Sequence, residues 1–390
     1  MIKFIGVSIF RVGMKVIVIS IFFLYGVGVG VYKYPPFESL AYIKNYLHPE
    51  EWNLFKADLT GRQRLLESGF TDPVIKDYLI FPAITKIKGI QSANERIYQD
   101  IKDYGSSYES LKILATEQLQ TKGNLSILRL RYLYQDKEYN AYAYGELQHR
   151  ICSINKESSK EPISLIIPGS GINQSYDIYT NNKNGYQYGI LEALQFKNNN
   201  VFVLIKPNES SLAWHNGKGK KLNGNFIWNY HLNRKGSYSS SYLVNSLAFM
   251  KYFKSCSKNT IIAGLSQGGA AALLNSLQSK PTLAIIASGY SVTQDVFESS
   301  DHNQLIKIQD GEVLTNSDNM LEALSRSTTN YLFTWGRQEQ GGVYRIEAEE
   351  QLTANKFGSL KNVTTLVHDA GHIYPVKEIQ VFLKQYLFNL

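Results

Sequence analysis

From residue 125 onward, short apolar runs alternate with longer amphipathic stretches. Two runs, 125–134 and 139–147, alternate apolar and polar residues around a polar turn and predict a β-hairpin. Further apolar runs that predict buried strands lie at 163–168, 201–205, 260–263, 283–287, 331–335 and 363–367. Helical stretches of about ten to fifteen residues separate them. The pattern therefore predicts an α/β fold: a mainly parallel sheet with helices on both faces and the hairpin as its starting edge.

The N-terminal segment 1–33 differs from the rest in its hydrophobicity. Residues 16–32 are uncharged and apolar, and about 17 to 25 such residues span a bilayer. Three basic residues precede the run: Lys3, Arg11 and Lys15. We expect a single-pass membrane anchor with the remaining chain on the periplasmic or extracellular side. A cleaved signal peptide, which would release a secreted protein, is the alternative, because Gly28 and Gly30 offer small residues for cleavage.

Between the anchor and the strands, residues 34–120 show a helical, amphipathic pattern interrupted by prolines. This region contains no combination of residues typical of a catalytic site. We interpret it as a helical stalk or cap that packs on the following domain. The chain then divides into an anchor at 1–33, a helical region at 34–120 and a catalytic domain at 121–390.

The composition narrows the class of protein. Of the 390 residues, 44% are hydrophobic and 19% are charged, which is typical of a folded protein. The net charge of +8 suits an anionic surface, glycan or membrane. Because this charge is spread along the chain and no nucleic-acid-reading module is evident, a DNA or RNA partner is not expected.

The cysteines and histidines give no indication of a metal site. Cys152 and Cys256 are the two cysteines of the chain, and the seven histidines are dispersed. The cysteines either form one disulfide in an oxidising compartment or remain two unpaired thiols. No dinucleotide fingerprint or Walker lysine occurs either, so no cofactor is expected.

The first candidate for chemistry is a serine between glycines. Gly264-Leu265-Ser266-Gln267-Gly268 fits the G-x-S-x-G pattern and joins an apolar strand to an alanine-rich helix. Small neighbours let such a turn tighten until the serine hydroxyl projects from the strand end. Ser266 is therefore a candidate nucleophile, and the alternative is that it only caps the helix.

Two later strand ends carry the groups that a serine nucleophile needs. Glu339 follows the run 331–335, and His372 follows the run 363–367. Because the carboxyl ends of parallel strands meet at one edge of a sheet, these side chains are expected near Ser266. His372 would act as the base and Glu339 would orient it. The alternatives are His368 for the base and, for the acid, three residues on the solvated face of a predicted helix: Glu347, Glu349 and Glu350.

The order of serine, acid and histidine on successive strands resembles the α/β-hydrolase superfamily of serine hydrolases, over about residues 125–390. The resemblance implies an oxyanion hole that uses the backbone N–H of Gln267. It also implies a second donor in the loop after the first parallel strand, at Ser170 or alternatively Gly171. The histidine-glycine start common in relatives is replaced by Pro168-Gly169.

Substrate contacts are expected in the insertion 206–242, which mixes aromatic with basic residues. Trp214, His215 and Trp228 are its candidate binding residues, although a solvated loop with aromatic anchors is an equal interpretation. The resulting hypothesis is a serine esterase that removes acyl groups from an envelope or extracellular glycan. Acyl transfer, peptide cleavage and a non-catalytic binding role remain alternatives.

Overall fold

The computed structural model describes residues 107–120, 126–146, 160–171, 174–196, 198–207, 238–290, 317–339 and 353–387, together with Ser20 and Tyr25. The chain divides into two units, Met1–Leu59 and Thr60–Leu390, and the strands and helices below belong to the second. Apart from those two residues, the expected anchor lies outside the described part, as does most of the expected helical region 34–120. No helix among the described residues is long and apolar enough to cross a membrane.

A nine-stranded sheet forms the centre of the second unit, in the order β1-β2-β3-β5-β4-β6-β7-β8-β9. Its strands are β1 Lys112–Gln120, β2 Ser126–Tyr134, β3 Lys137–Tyr144, β4 Ile163–Ile167, β5 Asn200–Ile205, β6 Thr260–Leu265, β7 Leu283–Ala287, β8 Asn330–Gly336 and β9 Val363–His368. The first three strands are antiparallel, β3 pairs antiparallel with β5, and the pairs from β5 to β9 are parallel. The predicted parallel strands and the predicted hairpin of β2 and β3 are confirmed.

The edge of the sheet corrects two expectations. The hairpin is not the starting edge, because β1 pairs with β2 along its length, from Lys112 opposite Leu133 to Gln120 opposite Ser126. The region expected to be helical as far as Gln120 therefore ends in a strand. Ile113 packs against one hydrophobic cluster and Leu119 against the other, and a register shift between Ile113 and Ala115 leaves Leu114 exposed. Hydrogen bonds to β2 favour this strand over the helix that the apolar spacing suggests.

Helices cover both faces of the sheet, as predicted. They are α1 Ser107–Ser110, α2 Gln174–Tyr179, α3 Ile190–Leu194, α4 Tyr238–Cys256, α5 Gln267–Ser279, α6 Ser317–Ser325 and α7 Val376–Leu387. Apolar side chains of α4, α5 and α6 join one hydrophobic cluster, and those of α2, α3 and α7 join the other. On α7 the buried side chains Ile379, Phe382 and Leu383 follow helical spacing.

The central strands are mostly apolar because both of their faces are buried; Ser164 in β4 and Thr260 in β6 are buried polar residues within them. In β4, Ile163, Leu165 and Ile167 belong to one cluster and Ile166 to the other. Such a strand has no place for a charged side chain until it leaves the sheet. Polar groups are consequently concentrated in the loops at the strand ends.

Cys256 ends α4, where it is buried and disulfide-bonded. Of the two alternatives open from the sequence, an unpaired thiol is therefore wrong for this residue. Cys152 lies outside the described residues.

Candidate active site

Ser266 lies at the sharp turn between β6 and α5. Its backbone has φ 60° and ψ −128°, a conformation that non-glycine residues seldom adopt. The turn is held by the Ser266 N–H, which donates to Ala287 O at 2.9 Å. The serine side chain makes no capping hydrogen bond to α5, so the helix-cap role considered from the sequence is not observed.

Two glycines of the turn are required by close backbone contacts. A Cβ on Gly264 would lie 2.0 Å from Gly268 O, and a Cβ on Gly268 would lie 2.1 Å from Ile167 O. Both distances are far below van der Waals contact. These glycines therefore allow the elbow to fold tightly and α5 to start directly against the end of β4.

Glu339 and His372 form a hydrogen-bonded pair, with Glu339 Oε2 2.9 Å from His372 Nδ1. The Glu339 side chain is 2% exposed and that of His372 is 34% exposed. The other carboxylate oxygen, Oε1, accepts from Gly336 N at 2.8 Å and from the Ser288 hydroxyl. A carboxylate held in this way fixes the ring orientation and directs Nε2 of the imidazole away from the acid.

The sheet order and the positions of these residues decide the fold. Three antiparallel strands, β1 to β3, precede a parallel sheet in which β4 and β5 are exchanged in order. Ser266, Glu339 and His372 follow the parallel strands β6, β8 and β9. This is the α/β-hydrolase fold.

His368, the other histidine considered from the sequence, is held differently in this fold. Its Nδ1 accepts from Ala370 N at 3.3 Å, and the ring is buried at the end of β9. Burial lowers the pKa of His368, and the negative charges of nearby carboxylates, Glu339, Glu378 and Asp369, partly oppose this. Of the two histidines, His372 is the one that is hydrogen-bonded to Glu339. His368 is therefore a neutral, buried ring that supports the loop.

The loop after β4 lies against the nucleophile elbow. A Cβ on Gly169 would be 2.8 Å from Leu265 O. The Gly169 N–H donates to Gln187 Oε1 at 2.9 Å, so it is not available to a substrate. Among the described residues, no acceptor is bonded to the amides of Ser170 and Gly171. The N–H of Gln267, the first residue of α5, also lacks an intrahelical partner.

Tyr186 connects the histidine to this loop and was not found by sequence reasoning. Its ring stacks on His372 with centroids 5.6 Å apart and planes inclined by 24°. Its hydroxyl donates to Ser170 O at 3.1 Å. Tyr186 follows no strand and belongs to no motif, so the sequence carries no signal for it.

The contacts form a ring around one site. Ser266 N–H is hydrogen-bonded to Ala287 O, at the end of β7. Ser288, the residue after Ala287, is hydrogen-bonded to Glu339, and Glu339 is hydrogen-bonded to His372. Tyr186 then links His372 to the loop after β4, which lies against the elbow. Ser266 and His372 are not hydrogen-bonded to each other; in free enzymes this contact often tightens only with substrate.

Trp214, His215 and Trp228 lie outside the described residues, as do the alternative acids Glu347, Glu349 and Glu350. In the part of the chain that the structure describes, no group of histidine, cysteine or carboxylate side chains could hold a metal ion.

Comparison with known proteins gives no family model that matches the chain and no match among curated proteins. Solved structures are similar at low identity. Est1E from Butyrivibrio proteoclasticus is 13% identical to this chain. The alignment covers 70% of this chain and 100% of Est1E, with a TM-score of 0.37. Acetyl xylan esterase 1 from Thermoanaerobacterium sp. JW/SL YS485 is 11% identical, covering 75% and 93%, with a TM-score of 0.43. An esterase of Pyrococcus furiosus is 13% identical, covering 79% and 98%, with a TM-score of 0.37.

Proposed function

We propose that this α/β-hydrolase is a serine esterase that forms an acyl-enzyme on Ser266. The observation that carries the proposal is the buried Glu339 carboxylate hydrogen-bonded to His372, in the same ring of contacts as the strained Ser266 elbow. A strained serine without a cap role, an oriented imidazole and free backbone amides are the three parts that acyl transfer requires.

In the first half of the reaction, Ser266 Oγ attacks the ester carbonyl carbon and its proton passes to His372 Nε2. Glu339 stabilises the imidazolium that forms. The carbonyl oxygen becomes an oxyanion, and the amides of Gln267 and of Ser170 or Gly171 donate to it. When the tetrahedral intermediate collapses, the C–O bond to the alcohol breaks and the alcohol leaves with the proton from His372.

The second half repeats these steps with water. His372 takes a proton from a water molecule, whose oxygen attacks the acyl carbon. Collapse breaks the bond to Ser266 Oγ, which regains its proton from His372, and the carboxylic acid is released. No cofactor takes part in either half.

We propose a polar acylated glycan of the cell envelope or the extracellular space as the substrate. The support is the composition of the insertion 206–242, in which Trp214, His215 and Trp228 stand among basic residues. Aromatic rings and cationic groups suit sugar rings and anionic substituents better than a lipid acyl chain.

The proposed location follows from two features. The apolar run 16–32 behind basic residues suits an anchor that exports the catalytic domain. The disulfide-bonded Cys256 suits an oxidising compartment. We propose that the esterase domain lies on the periplasmic or extracellular side of the membrane. Protease added to cells whose outer envelope layers have been removed, with the cytoplasmic membrane intact, should digest the domain, and protection of the domain would contradict this location.

The test of the proposed activity is hydrolysis of p-nitrophenyl acetate by wild-type protein and by Ser266→Ala. We expect the substitution to lower kcat by about four to six orders of magnitude, because the triad acts as a unit. Ser325→Ala, which removes an exposed hydroxyl of α6, is the matched control and should keep full activity. A loss below tenfold for Ser266→Ala would contradict the proposal.

A further inference from the structure

Lys206 is a buried lysine that the mechanism above does not use. It directly follows β5, its side chain is completely buried, and its Nζ donates hydrogen bonds to Gly169 O and to Gly171 O, the latter at 2.6 Å. Both acceptors belong to the loop after β4, residues 168–171, which we call the oxyanion loop. The contact arises because β5 pairs in parallel with β4, which brings the two strand ends together.

The other carbonyls of the loop are held as well. The Tyr242 hydroxyl donates to Pro168 O, and the Tyr186 hydroxyl donates to Ser170 O. Together with Lys206, these groups bind the carbonyls of four successive residues, 168–171. The carbonyl side of this loop is thus fixed by side chains.

Fixing a carbonyl also fixes the amide of the next residue. Gly169 C=O and Ser170 N–H belong to one planar trans peptide unit, so they are directed to opposite sides. The ammonium group that holds Gly169 O therefore orients Ser170 N–H away from itself. A cation on the carbonyl also polarises the peptide, which makes its N–H a stronger donor.

Stability alone gives a poor reason for a lysine at this position. Burying an ammonium group costs free energy that its hydrogen bonds only partly return, and an apolar side chain of similar volume is often no less stable. A positive charge beside an oxyanion hole has a clear use, because negative charge develops there in the transition state.

We propose that Lys206 is a positioning residue for the oxyanion hole: it orients and polarises the Gly169–Ser170 peptide so that Ser170 N–H donates to the oxyanion. The proposal rests on the proposed esterase function. It also selects Ser170 as the second donor of the oxyanion hole. Tyr186 orients the Gly171 amide, because its hydroxyl holds Ser170 O, which belongs to the same peptide unit as Gly171 N–H.

The test compares Lys206→Met with Lys251→Met in hydrolysis of p-nitrophenyl acetate. Lys251 is a matched control, because its Nζ also donates to two backbone carbonyls, Tyr108 O at 2.8 Å and Glu109 O at 3.2 Å, but away from the active site. We expect Lys206→Met to lower kcat about 10- to 100-fold and to change KM less than about threefold. The reason is that the substitution weakens a hydrogen bond, from Ser170 N–H to the oxyanion, that forms only in the transition state. Lys251→Met should keep kcat within about twofold of wild type.

A trifluoromethyl ketone provides the second measurement. Ser266 Oγ adds to the ketone carbon, its proton goes to His372, and the ketone oxygen becomes an oxyanion in the hole. Lys206→Met should weaken this inhibitor by about the factor by which kcat falls, whereas a carboxylate product should bind unchanged. Lys206→Gln, which keeps an N–H donor without the charge, should recover part of the loss.

The outcomes separate this inference from the proposed function. Circular dichroism establishes that both Lys206 variants fold before their kinetics are compared. If Lys206→Met matches Lys251→Met in kcat, or if its loss lies only in KM, Lys206 has no positioning role. If wild-type protein has no esterase activity, the proposed function fails and this inference fails with it. An active wild type with an unaffected Lys206→Met variant overturns this inference alone.

Discussion

Ser288, at the end of β7, donates a hydrogen bond to Glu339, in the loop after β8. Both side chains are buried. The bond joins two neighbouring strand ends and satisfies the carboxylate oxygen that does not contact His372. The acid is therefore positioned by groups from two strands, which holds the imidazole in one orientation.

Replacing Ser288 by alanine should weaken catalysis through the acid. Glu339 Oε1 would keep the Gly336 amide but lose one donor in a buried place, so we expect kcat/KM to fall about tenfold and the free energy of unfolding to fall by about 1 to 3 kcal/mol. Ser279→Ala, which removes a buried hydroxyl bonded to Asn275 O in α5, should lower stability and leave kcat/KM unchanged. Equal kcat/KM values for the two variants would contradict the role of Ser288.

Glu339→Gln should keep the shape of the side chain while removing its charge. The amide cannot stabilise the imidazolium and can present a donor to Nδ1, so we expect kcat/KM to fall by about three to four orders of magnitude. Steady-state hydrolysis of an activated ester measures this. Glu322→Gln is the control, because Glu322 is exposed and pairs with Arg326. This variant should keep the wild-type kcat/KM. A Glu339→Gln variant with more than a tenth of wild-type kcat/KM would show that another acid supports the base.

Gly268→Ala should disrupt the elbow. A Cβ at this position would lie 2.1 Å from Ile167 O, and a backbone atom cannot move aside without displacing β4. We expect a loss of at least about 2 kcal/mol in the free energy of unfolding, together with loss of activity. Gly185→Ala, where the nearest atom would be 3.3 Å away, is the control and should change both quantities little. Chemical denaturation of the two variants decides between them.

His368 predicts a pH dependence of stability. Burial lowers its pKa from 6.5 in the folded protein, so the unfolded chain binds a proton first as the pH falls. The stability contributed by the neutral ring is fully present above about pH 6.5 and is lost as the pH falls through the lowered folded pKa. His368→Gln cannot take up this proton, and its free energy of unfolding should decline less steeply between pH 7 and pH 5. Identical slopes for the two proteins would exclude the effect.

The features that could be predicted from the sequence are those with a local pattern. The central strands are apolar because both faces are buried, and the elbow needs glycines at Gly264 and Gly268 because backbone atoms touch there. Ser266, Glu339 and His372 could be proposed because each follows a strand. The strand β1 was missed because its residues carry a weak amphipathic pattern, and pairing with β2 determines its structure.

The supporting contacts could not be predicted because they join distant residues. Lys206 meets Gly169 since β5 lies beside β4, and Ser288 meets Glu339 since β7 lies beside β8. Both residues do follow apolar strands, which is the signal that strand-end reasoning could have used. Tyr186 offers no such signal, because its contacts to His372 and Ser170 depend on how a loop returns over the site.

The central claim is that Ser266 is a nucleophile activated by His372 and Glu339. Its most direct test is to treat the folded wild-type protein with a fluorophosphonate and to map the modified peptide by mass spectrometry. We predict one adduct per chain, on Ser266, and none on His372→Ala or on heat-denatured protein. A folded wild-type protein that remains unlabelled, or that is labelled at another residue, would contradict this account of the site.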